Sequence, residues 1–532
     1  MAIERSEYMG IYFNPNNRSF TCDKNSKIYI DKTELLSFLN ERLETNDKYI
    51  AVSHARRFGK SHAAGMIDAY YSLGSNSTKL FEDTKIASYP DYKKHMNKYN
   101  VIHLDISSVW DFHKEDLIES IHERLCEDFQ KIYQDTLNYK KDLYLLIWDI
   151  YSITEIPFVI ILDEWDCVIR NSRNQELIHR YLQFLHSLFK SEESKSFLAL
   201  GYITGILPIK KIKDESALNN FEEYTMIKCK PITEYYGFTE DEVKGLCKEY
   251  NMDFESTKAW YNGYLIDGKH MYNPNSVSMA MRRQEFDSYW RNTSSFATIN
   301  TFITMNYSGL KDDIITMLSG GKVMVDTESF QNDLSEIYSK DDALTALIHL
   351  GYLAYDKNML SAYIPNFEVA KAFQTALKTG SWTEIAKSIS KCDELLMATI
   401  AGNEEKVAEL IELAHDTYTS ILKYNDENSL SCVLTMAYFT APAYYNIIRE
   451  MPAGKGFADF VFIPRANAGY RPAMIIELKY NKSADSAIRQ IKDKRYQGVL
   501  AGYNGKILLV GINYSPEGDN KKHHTCVIEE LE

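Results

Sequence analysis

Over the first 235 residues, short runs of apolar, β-forming residues alternate with longer segments whose apolar residues recur at helical spacing. The apolar runs predict strands at 48–53, 100–107, 158–162 and 198–206, and a short strand leading into a helix at 28–36. Helices are predicted from Ser61 onward, over 114–150 and over 174–191. Strands that alternate with helices form parallel sheets with right-handed crossovers. Residues 1–235 therefore predict an α/β domain, a parallel sheet with flanking helices.

The remaining chain predicts two helical segments, a winged-helix-like region between them and a second α/β domain. Residues 236–292 predict a helical lid, and 386–425 predict a helical linker. Residues 293–385 have the order helix, strand, turn, strand, helix, which is typical of a winged-helix-like region. From 426 to 532 the α/β pattern returns. Its predicted elements are strands at 458–463, 473–480, 506–513 and 525–529, and a helix at 483–500.

Composition narrows the functional classes. The chain has 532 residues, of which 45% are hydrophobic and 25% charged, a balance that excludes a disordered or fibrous protein. Its formal charge of -14 excludes a basic coat that binds nucleic acid along the whole surface. Residues 451–532 instead carry 12 Lys and Arg against 9 Asp and Glu. This small local excess permits a nucleic-acid partner without requiring one.

Neither the cysteines nor the N-terminus indicates export. The 8 cysteines are scattered, with no CxxC spacing, which is typical of reduced, mostly buried thiols. The N-terminal segment MAIERSEYMG has no apolar core of a signal peptide, and the most apolar stretch, 158–162, is too short to cross a bilayer. We therefore expect a cytoplasmic protein with no membrane contact.

A phosphate-binding loop is predicted where the first long strand ends. Gly59, Lys60 and Ser61 follow the strand at 48–53 and open a helix, which is the context that a P-loop requires. Backbone N–H groups at the helix N-terminus form an anion cradle. Lys60 would reach the β- and γ-phosphates of a nucleotide, and Ser61 would bind Mg²⁺. The pattern GxxxxGK[ST] is incomplete, because His54 occupies its first glycine position.

An acidic pair later in the chain supports this interpretation. Asp163 and Glu164 end the buried strand at 158–162, where Asp163 would hold Mg²⁺ and Glu164 would orient the attacking water. Thr204 could sense the γ-phosphate or be structural, and Arg57, like Arg56, could contact phosphate or face solvent. The alternative is a purely structural role, in which the GKS segment is a turn and the two acids cap the next element. An arginine finger is not identifiable, although the chain offers Arg282, Arg283 and Arg291.

A metal-dependent nuclease site is predicted in the C-terminal domain. Asp459 and Glu477 lie on neighbouring predicted strands, and Glu477 and Lys479 alternate so that both point to one face. Two carboxylates and a lysine on one face suit a Mg²⁺ site that activates water against a phosphodiester. Gln490, on the following helix, could reach back to the site. The alternative is an exposed strand face with a Glu477–Lys479 ion pair.

Three further features of this domain stay open. Tyr496 is a more speculative contributor to the site. Glu427 could add a metal ligand or begin a solvated helix. The basic run of Arg489, Lys492, Lys494 and Arg495 could hold a phosphate backbone or form a solvated helix face, and the sequence favours neither interpretation.

Ten short segments of the chain can be compared with known families. They are YIDKTELL (29–36), ARRFGKS (55–61), VIILDE (159–164), ITGI (203–206), YGFTEDEV (236–243), WYNGY (260–264), YNP (272–274), FADFVF (457–462), IIELK (475–479) and LLVGINYS (508–515). Taken together, these segments resemble a bacterial family with an N-terminal AAA-like ATPase domain and a C-terminal PD-(D/E)XK nuclease-superfamily domain. The resemblance covers nearly the whole chain, and members carry RRFGKS without the first P-loop glycine, so His54 fits this family. Trp165 stands where many relatives have Tyr.

The resemblance implies roles for matching positions. Lys60 and Ser61 match ligands of the phosphates and Mg²⁺, and Asp163 and Glu164 match the Walker B pair. Asp459, Glu477 and Lys479 match the nuclease triad, with Gln490 at a helix position that some members share.

The leading hypothesis is an ATP-binding nuclease that uses Mg²⁺, or Mn²⁺, and acts on DNA, with nucleotide state regulating the C-terminal site. A nucleotide-dependent switch or scaffold that binds without cutting, and a nuclease independent of ATP, are the alternatives. Whether ATP is hydrolysed and whether the chain forms a homo-oligomer stay open.

Overall fold

The fold was analysed in a computed structural model of the chain. The chain forms two compact units, one comprising Met1–Met252, Asn262–Glu285 and Met324–Ala362, and the other Asp253–Tyr261, Phe286–Val323 and Tyr363–Glu532. The structure describes residues 9–209, 218–290, 299, 301–302, 307, 309–318, 320–328, 330, 337–379, 391–419, 427–453, 456–464, 471–494, 500, 503, 505–516 and 523–531.

The first unit is built around a five-stranded parallel sheet. The strand order is β2-β3-β4-β1-β5, so β4 lies between the strand that leads into the GKS segment and the strand that ends in Asp163. Because parallel strands end at the same sheet edge, this order brings both predicted nucleotide motifs to one edge. The strands are β1 (Tyr49–Ser53), β2 (Asn100–Asp105), β3 (Phe158–Asp163), β4 (Leu198–Gly205) and β5 (Glu222–Thr225).

Helices flank this sheet and bury its apolar faces. All six residues of β3 and all eight of β4 are buried, as continuous apolar strands covered on both faces should be. The helices are α1 (Arg18–Lys24), α2 (Glu34–Asn40), α3 (Lys60–Tyr71), α4 (Thr78–Phe81), α5 (Ile106–His113), α6 (Leu117–Tyr133), α7 (Leu143–Thr154), α8 (Cys167–Asn171), α9 (Gln175–Lys190) and α10 (Glu192–Phe197). Short 3-10 turns cover Lys85–Ser88, Gln134–Thr136 and Thr233–Tyr235.

The region after the sheet combines helices with small strands. A three-stranded sheet has the order β6-β8-β7, so the purely helical prediction for 236–292 was incomplete. A second three-stranded sheet has the order β10-β11-β9. The elements are β6 (Phe238–Thr239), α11 (Glu240–Glu249), α12 (Phe254–Tyr261), β7 (Tyr264–Ile266), β8 (Lys269–Tyr272), α13 (Pro274–Arg283), α14 (Leu310–Leu318), β9 (Val323–Met324), α15 (Lys340–His349), β10 (Ala354–Asp356) and β11 (Ser361–Tyr363).

The C-terminal domain has a mixed five-stranded sheet in the order β12-β13-β14-β15-β16. Only the β14–β15 pair is parallel; the other neighbours are antiparallel. The elements are α16 (Phe367–Thr379), α17 (Cys392–Ile400), α18 (Glu404–Thr419), α19 (Glu427–Ala437), a 3-10 turn (Ala441–Ala443), β12 (Tyr445–Ala453), β13 (Gly456–Pro464), β14 (Ala473–Tyr480), α20 (Ala484–Asp493), β15 (Ile507–Tyr514) and β16 (His524–Glu530).

The α/β fold class is confirmed at both ends of the chain, and two local predictions were wrong. Residues 28–33 contain no strand; the chain reaches α2 as an irregular segment. The helix predicted over 114–150 is interrupted, because a 3-10 turn and residues 137–142 separate α6 from α7. The helix–strand–strand–helix order of α15, β10, β11 and α16 matches the expected order, but the winged-helix assignment and the five-part domain division stay predictions. Among the described residues, no helix is long and apolar enough to cross a membrane.

Candidate functional site

The loop between β1 and α3 has the backbone of an anion cradle. Gly59, the residue before α3, has φ +92°, and the position that a Cβ would occupy there has no atom within 4 Å. This left-handed conformation favours glycine. The open space lies beside the N-terminus of a twelve-residue helix, where unsatisfied N–H groups and the helix dipole favour negative charge. The loop is therefore shaped for a phosphate.

Lys60 is held beside this loop. Its ammonium Nζ donates to the carbonyl oxygens of His54, at 2.8 Å, and Ala55, at 3.1 Å, and its side chain is buried. Burial lowers the pKa of Lys60, and the neighbouring carboxylates of Glu164 and Asp163 oppose this shift. Lys60 therefore places a cation close to both predicted nucleotide motifs, the GKS segment and the Asp163–Glu164 pair.

His54 occupies the first glycine position of the P-loop pattern, and its side chain is packed inside the protein. Its ring is fully buried, with Nε2 3.1 Å from Cys229 Sγ and its centroid 5.3 Å from that of Tyr236. Burial lowers the pKa of His54 to about 3, so the imidazole is neutral at physiological pH. The side chain occupies a packing position against Cys229 and Tyr236.

Asp163, Glu164 and Thr204 meet at the carboxyl edge of the sheet. Thr204 Oγ1 donates to Asp163 Oδ1, and the backbone N–H of Glu164 donates to the same oxygen at 3.1 Å. Burial raises the pKa of Glu164. The structure thus places Thr204 against the predicted Mg²⁺ ligand, an arrangement compatible with either of the roles considered for it.

Arg170, which the sequence analysis missed, forms ion pairs with Glu164 and Asp166. Its guanidinium contacts the carboxylate of Glu164, and its Nε lies 2.8 Å from Asp166 Oδ2. Asp166 also accepts from the backbone N–H groups of Ile206, at 3.1 Å, and Leu207, at 2.9 Å. The only sequence signal was the i, i+4 spacing of Asp166 and Arg170, which surface pairs share.

A cavity of about 550 Å³ adjoins the loop, a volume in the range of small-molecule sites. The predicted residues Arg57, Gly59, Lys60, Ser61 and Glu164 line it. The sequence analysis missed other contributors, from the segment before α2, the residues around β6 and helix α13. They include Phe20, Tyr29, Lys32, Tyr235, Phe238 and Asn275. Arg282, which the sequence offered as one of three available arginines, also lines the cavity.

The second candidate site lies on β13 and β14. Phe460 pairs with Ile476 in antiparallel register, which sets Asp459 beside Glu477. Asp459 Oδ2 accepts from the backbone N–H of Leu478 at 2.7 Å. The predicted juxtaposition of the two acids is therefore present in the structure.

Glu477 is the centre of this cluster. Its Oε1 lies 3.0 Å from Lys479 Nζ and also accepts from the Gln490 side-chain amide on α20. Glu477 is 2% exposed. Burial, with the nearby charge of Asp459, raises the pKa of Glu477 to about 7 against the opposing effect of Lys479.

The donor set fits a divalent cation. Glu477 Oε2 is buried and has no hydrogen-bond partner within the described part of the chain, an unusual and costly state for a carboxylate oxygen. The Asp459 carboxylate and the carbonyl oxygen of Leu478 are the other oxygens at hand, the latter accepting from Lys479 Nζ at 2.8 Å. Oxygen ligands of this kind suit Mg²⁺ or Mn²⁺.

Several other residues predicted for the two sites either have partners on the protein or lie outside the described residues. Lys492 forms an ion pair with Glu529, and Arg489 Nε donates to the Asp485 carbonyl at 3.4 Å, so two members of the basic run have partners on the protein. Tyr496, Arg495 and Arg291 lie outside the described residues. Glu427 begins α19, but its side chain is also outside the described part.

Comparisons with known proteins match both α/β domains. Residues 19–213 match a family model described as a predicted AAA-ATPase, and residues 425–524 match the PD-(D/E)XK nuclease superfamily. The chain thus combines an AAA-ATPase-like domain with a domain of the PD-(D/E)XK nuclease superfamily, as the sequence segments indicated.

One curated relative spans nearly the whole chain. It is an uncharacterized protein encoded in the vnfD 5' region of Azotobacter chroococcum mcd 1, 22% identical over 537 residues, which cover 94% of this chain and 95% of the relative.

Solved structures similar to this chain include origin-recognition proteins. Aeropyrum pernix ORC2, in ADPNP–ADP complexes, is 11% identical, covers 68% of this chain and 98% of its own, and has a TM-score of 0.29. Aeropyrum pernix ORC1 in complex with DNA is 10% identical, with coverage of 86% and 96% and a TM-score of 0.26. TM-scores this low carry no functional inference.

Proposed function

We propose that this protein is a nucleotide-binding nuclease that uses Mg²⁺ or Mn²⁺ to cleave nucleic acid, with DNA the expected substrate, and that nucleotide state regulates the C-terminal site. The observation that carries the proposal is the buried Glu477, whose free Oε2 lies in a cluster with Asp459, Lys479 and Gln490. Burying a carboxylate oxygen without a partner costs stability, and a bound cation would supply the missing partner.

Each residue of the C-terminal cluster would have its own task. Asp459, Glu477 and the Leu478 carbonyl would hold the cation, which supplies Lewis acidity and a nucleophilic water when bound. Lys479 would bind the attacked phosphate or orient the water, because its ammonium already lies 3.0 Å from Glu477 Oε1. Gln490 would fix the Glu477 side chain in place through its amide hydrogen bond.

The N-terminal site would bind ATP. Gly59 and the N-terminus of α3 would receive the phosphates, Lys60 would bind their oxygens, and Ser61 with Asp163 would bind the accompanying Mg²⁺. Glu164 would orient water for hydrolysis, although it is ion-paired with Arg170 here. Thr204 and Arg57 are proposed as further contacts of the nucleotide.

The test is cleavage of mixed linear, circular and single-stranded DNA by the full chain with Mg²⁺ or Mn²⁺, with and without ATP. Asp459→Ala should abolish cleavage, and the exposed Asp485→Ala is the matched control. Lys60→Ala should remove ATP binding and any ATP effect on cleavage, with the exposed Lys79→Ala as control.

The possible outcomes of this test separate the proposed function from its alternatives. Cleavage that survives Asp459→Ala would overturn the assignment of the C-terminal site. ATP binding without cleavage under any condition would favour a nucleotide-dependent switch or scaffold. Cleavage without any ATP binding would favour a nuclease independent of ATP.

A further inference from the structure

One face of β13 changes character along its length. Residues two apart on a strand share a face, so Val461, Asp459 and Phe457 lie in one row. Val461 is buried in a cluster that includes Ile488 and Ile491 of α20. The row therefore runs from packed core, through the acid of the candidate metal site, to Phe457 at its far end.

Phe457 is exposed where the other phenylalanines of the strand are not. It is 62% exposed, whereas Phe460 and Phe462 are 3% and 1% exposed. A single exposed aromatic side chain is ordinary on a protein surface. The position is what distinguishes Phe457, because it stands on the same face as Asp459, about 7 Å away along the strand.

We propose that Phe457 is a stacking platform for a base of the nucleic acid whose phosphodiester enters the Asp459–Glu477 site, and that the bound strand is single-stranded there. This inference rests on the proposed nuclease function and names its substrate class. Bases within a duplex are already stacked on one another, so a protein ring stacks only on a base that is unpaired or displaced. An exposed ring beside a phosphate-handling site therefore selects single strands over duplexes.

The charge around the site agrees with this assignment. The small excess of basic residues in 451–532 is too weak to grip a duplex along its length by phosphate contacts alone. Base stacking supplies affinity without added charge and without sequence preference. The surface around Phe457 and Asp459 therefore suits a single strand that is bound mainly by base stacking.

The experiment compares the full-length wild-type protein with Phe457→Leu, which keeps an apolar side chain without a ring, and Phe457→Trp, which keeps a ring. Binding to a single-stranded oligonucleotide carrying 2-aminopurine, and to the same sequence as a duplex, is measured with Ca²⁺ in place of Mg²⁺. Phe457→Leu should weaken single-strand binding by about 5- to 100-fold and abolish the quenching of 2-aminopurine. Phe457→Trp should retain both, and duplex binding should not change.

Two results would overturn the inference: equal single-strand affinity in wild type and Phe457→Leu, or an equal loss of affinity for both substrates. Cleavage with Mg²⁺ separates this from the proposed function. If Asp459-dependent cleavage persists and Phe457→Leu has no effect, the stacking platform is wrong and the nuclease stands. If no protein cleaves but Phe457→Leu still loses single-strand binding, the platform stands and the nuclease is wrong. Since Phe457 is exposed, thermal unfolding should be the same in all three proteins.

Discussion

Lys479 Nζ lies 3.0 Å from Glu477 Oε1, and their side chains are only 7% and 2% exposed. The two residues are two positions apart on β14, so the strand itself sets the pair on one face. Lys479 opposes the effects of burial and of Asp459, which together raise the pKa of Glu477 to about 7. The ammonium therefore helps to keep the carboxylate ionised, and only the ionised form binds a metal.

Lys479→Met should raise the pKa of Glu477 further, because it removes the charge that lowers it. At neutral pH the variant should bind Mn²⁺ more weakly than wild type, and the affinity should recover as the pH is raised. Isothermal titration with Mn²⁺ between pH 6 and pH 9 measures this, with the exposed Lys482→Met as control. The same pH profile in Lys479→Met and wild type would contradict the assignment.

The raised pKa of Glu477 also predicts how the metal-free domain responds to pH. The native carboxyl, with a pKa of about 7 against an ordinary value of 4.5, binds more protons than the unfolded chain between these values. Stability of the C-terminal domain should therefore fall as pH rises from about 4.5 to 7, by about 3 kcal/mol, and stay at the lower level above pH 7. Hydrogen exchange of the β14 amides in EDTA, corrected for intrinsic rates, measures this change.

Glu477→Gln provides the comparison for that pH series. A neutral amide has no pKa in this range, so the fall between pH 4.5 and pH 7 should disappear. Added Mg²⁺ at pH 8 should protect β14 in wild type by mass action and leave Glu477→Gln unchanged. A variant that keeps the wild-type pH dependence would show that another group titrates.

His54→Gly restores the general P-loop pattern and should nevertheless harm the protein. The buried imidazole contacts Cys229 and packs near Tyr236, so its removal leaves a cavity that should cost about 3 kcal/mol. ATP affinity should not improve, since the proposed phosphate site consists of Gly59, Lys60 and the N-terminus of α3 and does not include the His54 side chain. Thermal unfolding and ATP titration measure both effects, with His54→Gln as a variant that keeps volume and polarity. A stable His54→Gly protein with tighter ATP binding would contradict this interpretation.

The elements predicted most accurately from the sequence are those that are buried in the core. Strands β3 and β14 are continuous apolar runs in the sequence because both are buried on both faces. Predicting these strands also located Asp163 and Glu164 at the end of β3 and Glu477 and Lys479 on β14. Two edge strands were missed: β5, whose sequence is EEYT, and β12. An edge strand has a paired neighbour on one side only, so its apolar pattern is weak, and β5 has one buried residue in four.

The residues missed at the sites were missed for two different physical reasons. Tyr29 lies in an irregular segment whose alternating apolar residues suggested a strand, but it lines the cavity beside the loop between β1 and α3. That cavity joins segments that are distant in sequence, and no local pattern encodes such a contact. Arg170 pairs with acids only four and six residues away, but the same spacing occurs in exposed helices, so the sequence does not show that this pair is buried.

Arg170→Met should be among the most destabilising single changes in the first unit. Asp166 is 1% exposed and Arg170 is its charged partner at 2.8 Å, so the variant leaves a buried carboxylate without its cation, at a cost of about 3–5 kcal/mol. The thermal midpoint should fall by roughly 10 °C, whereas the exposed Arg173→Met should have little effect. Adding Asp166→Asn to Arg170→Met should recover part of the loss, because an amide oxygen can still accept from the N–H groups of Ile206 and Leu207 while carrying no charge. If Arg170→Met and Arg173→Met unfold at the same temperature, or the double variant is no more stable than Arg170→Met, the Arg170–Asp166 pair does not stabilise this edge of the sheet.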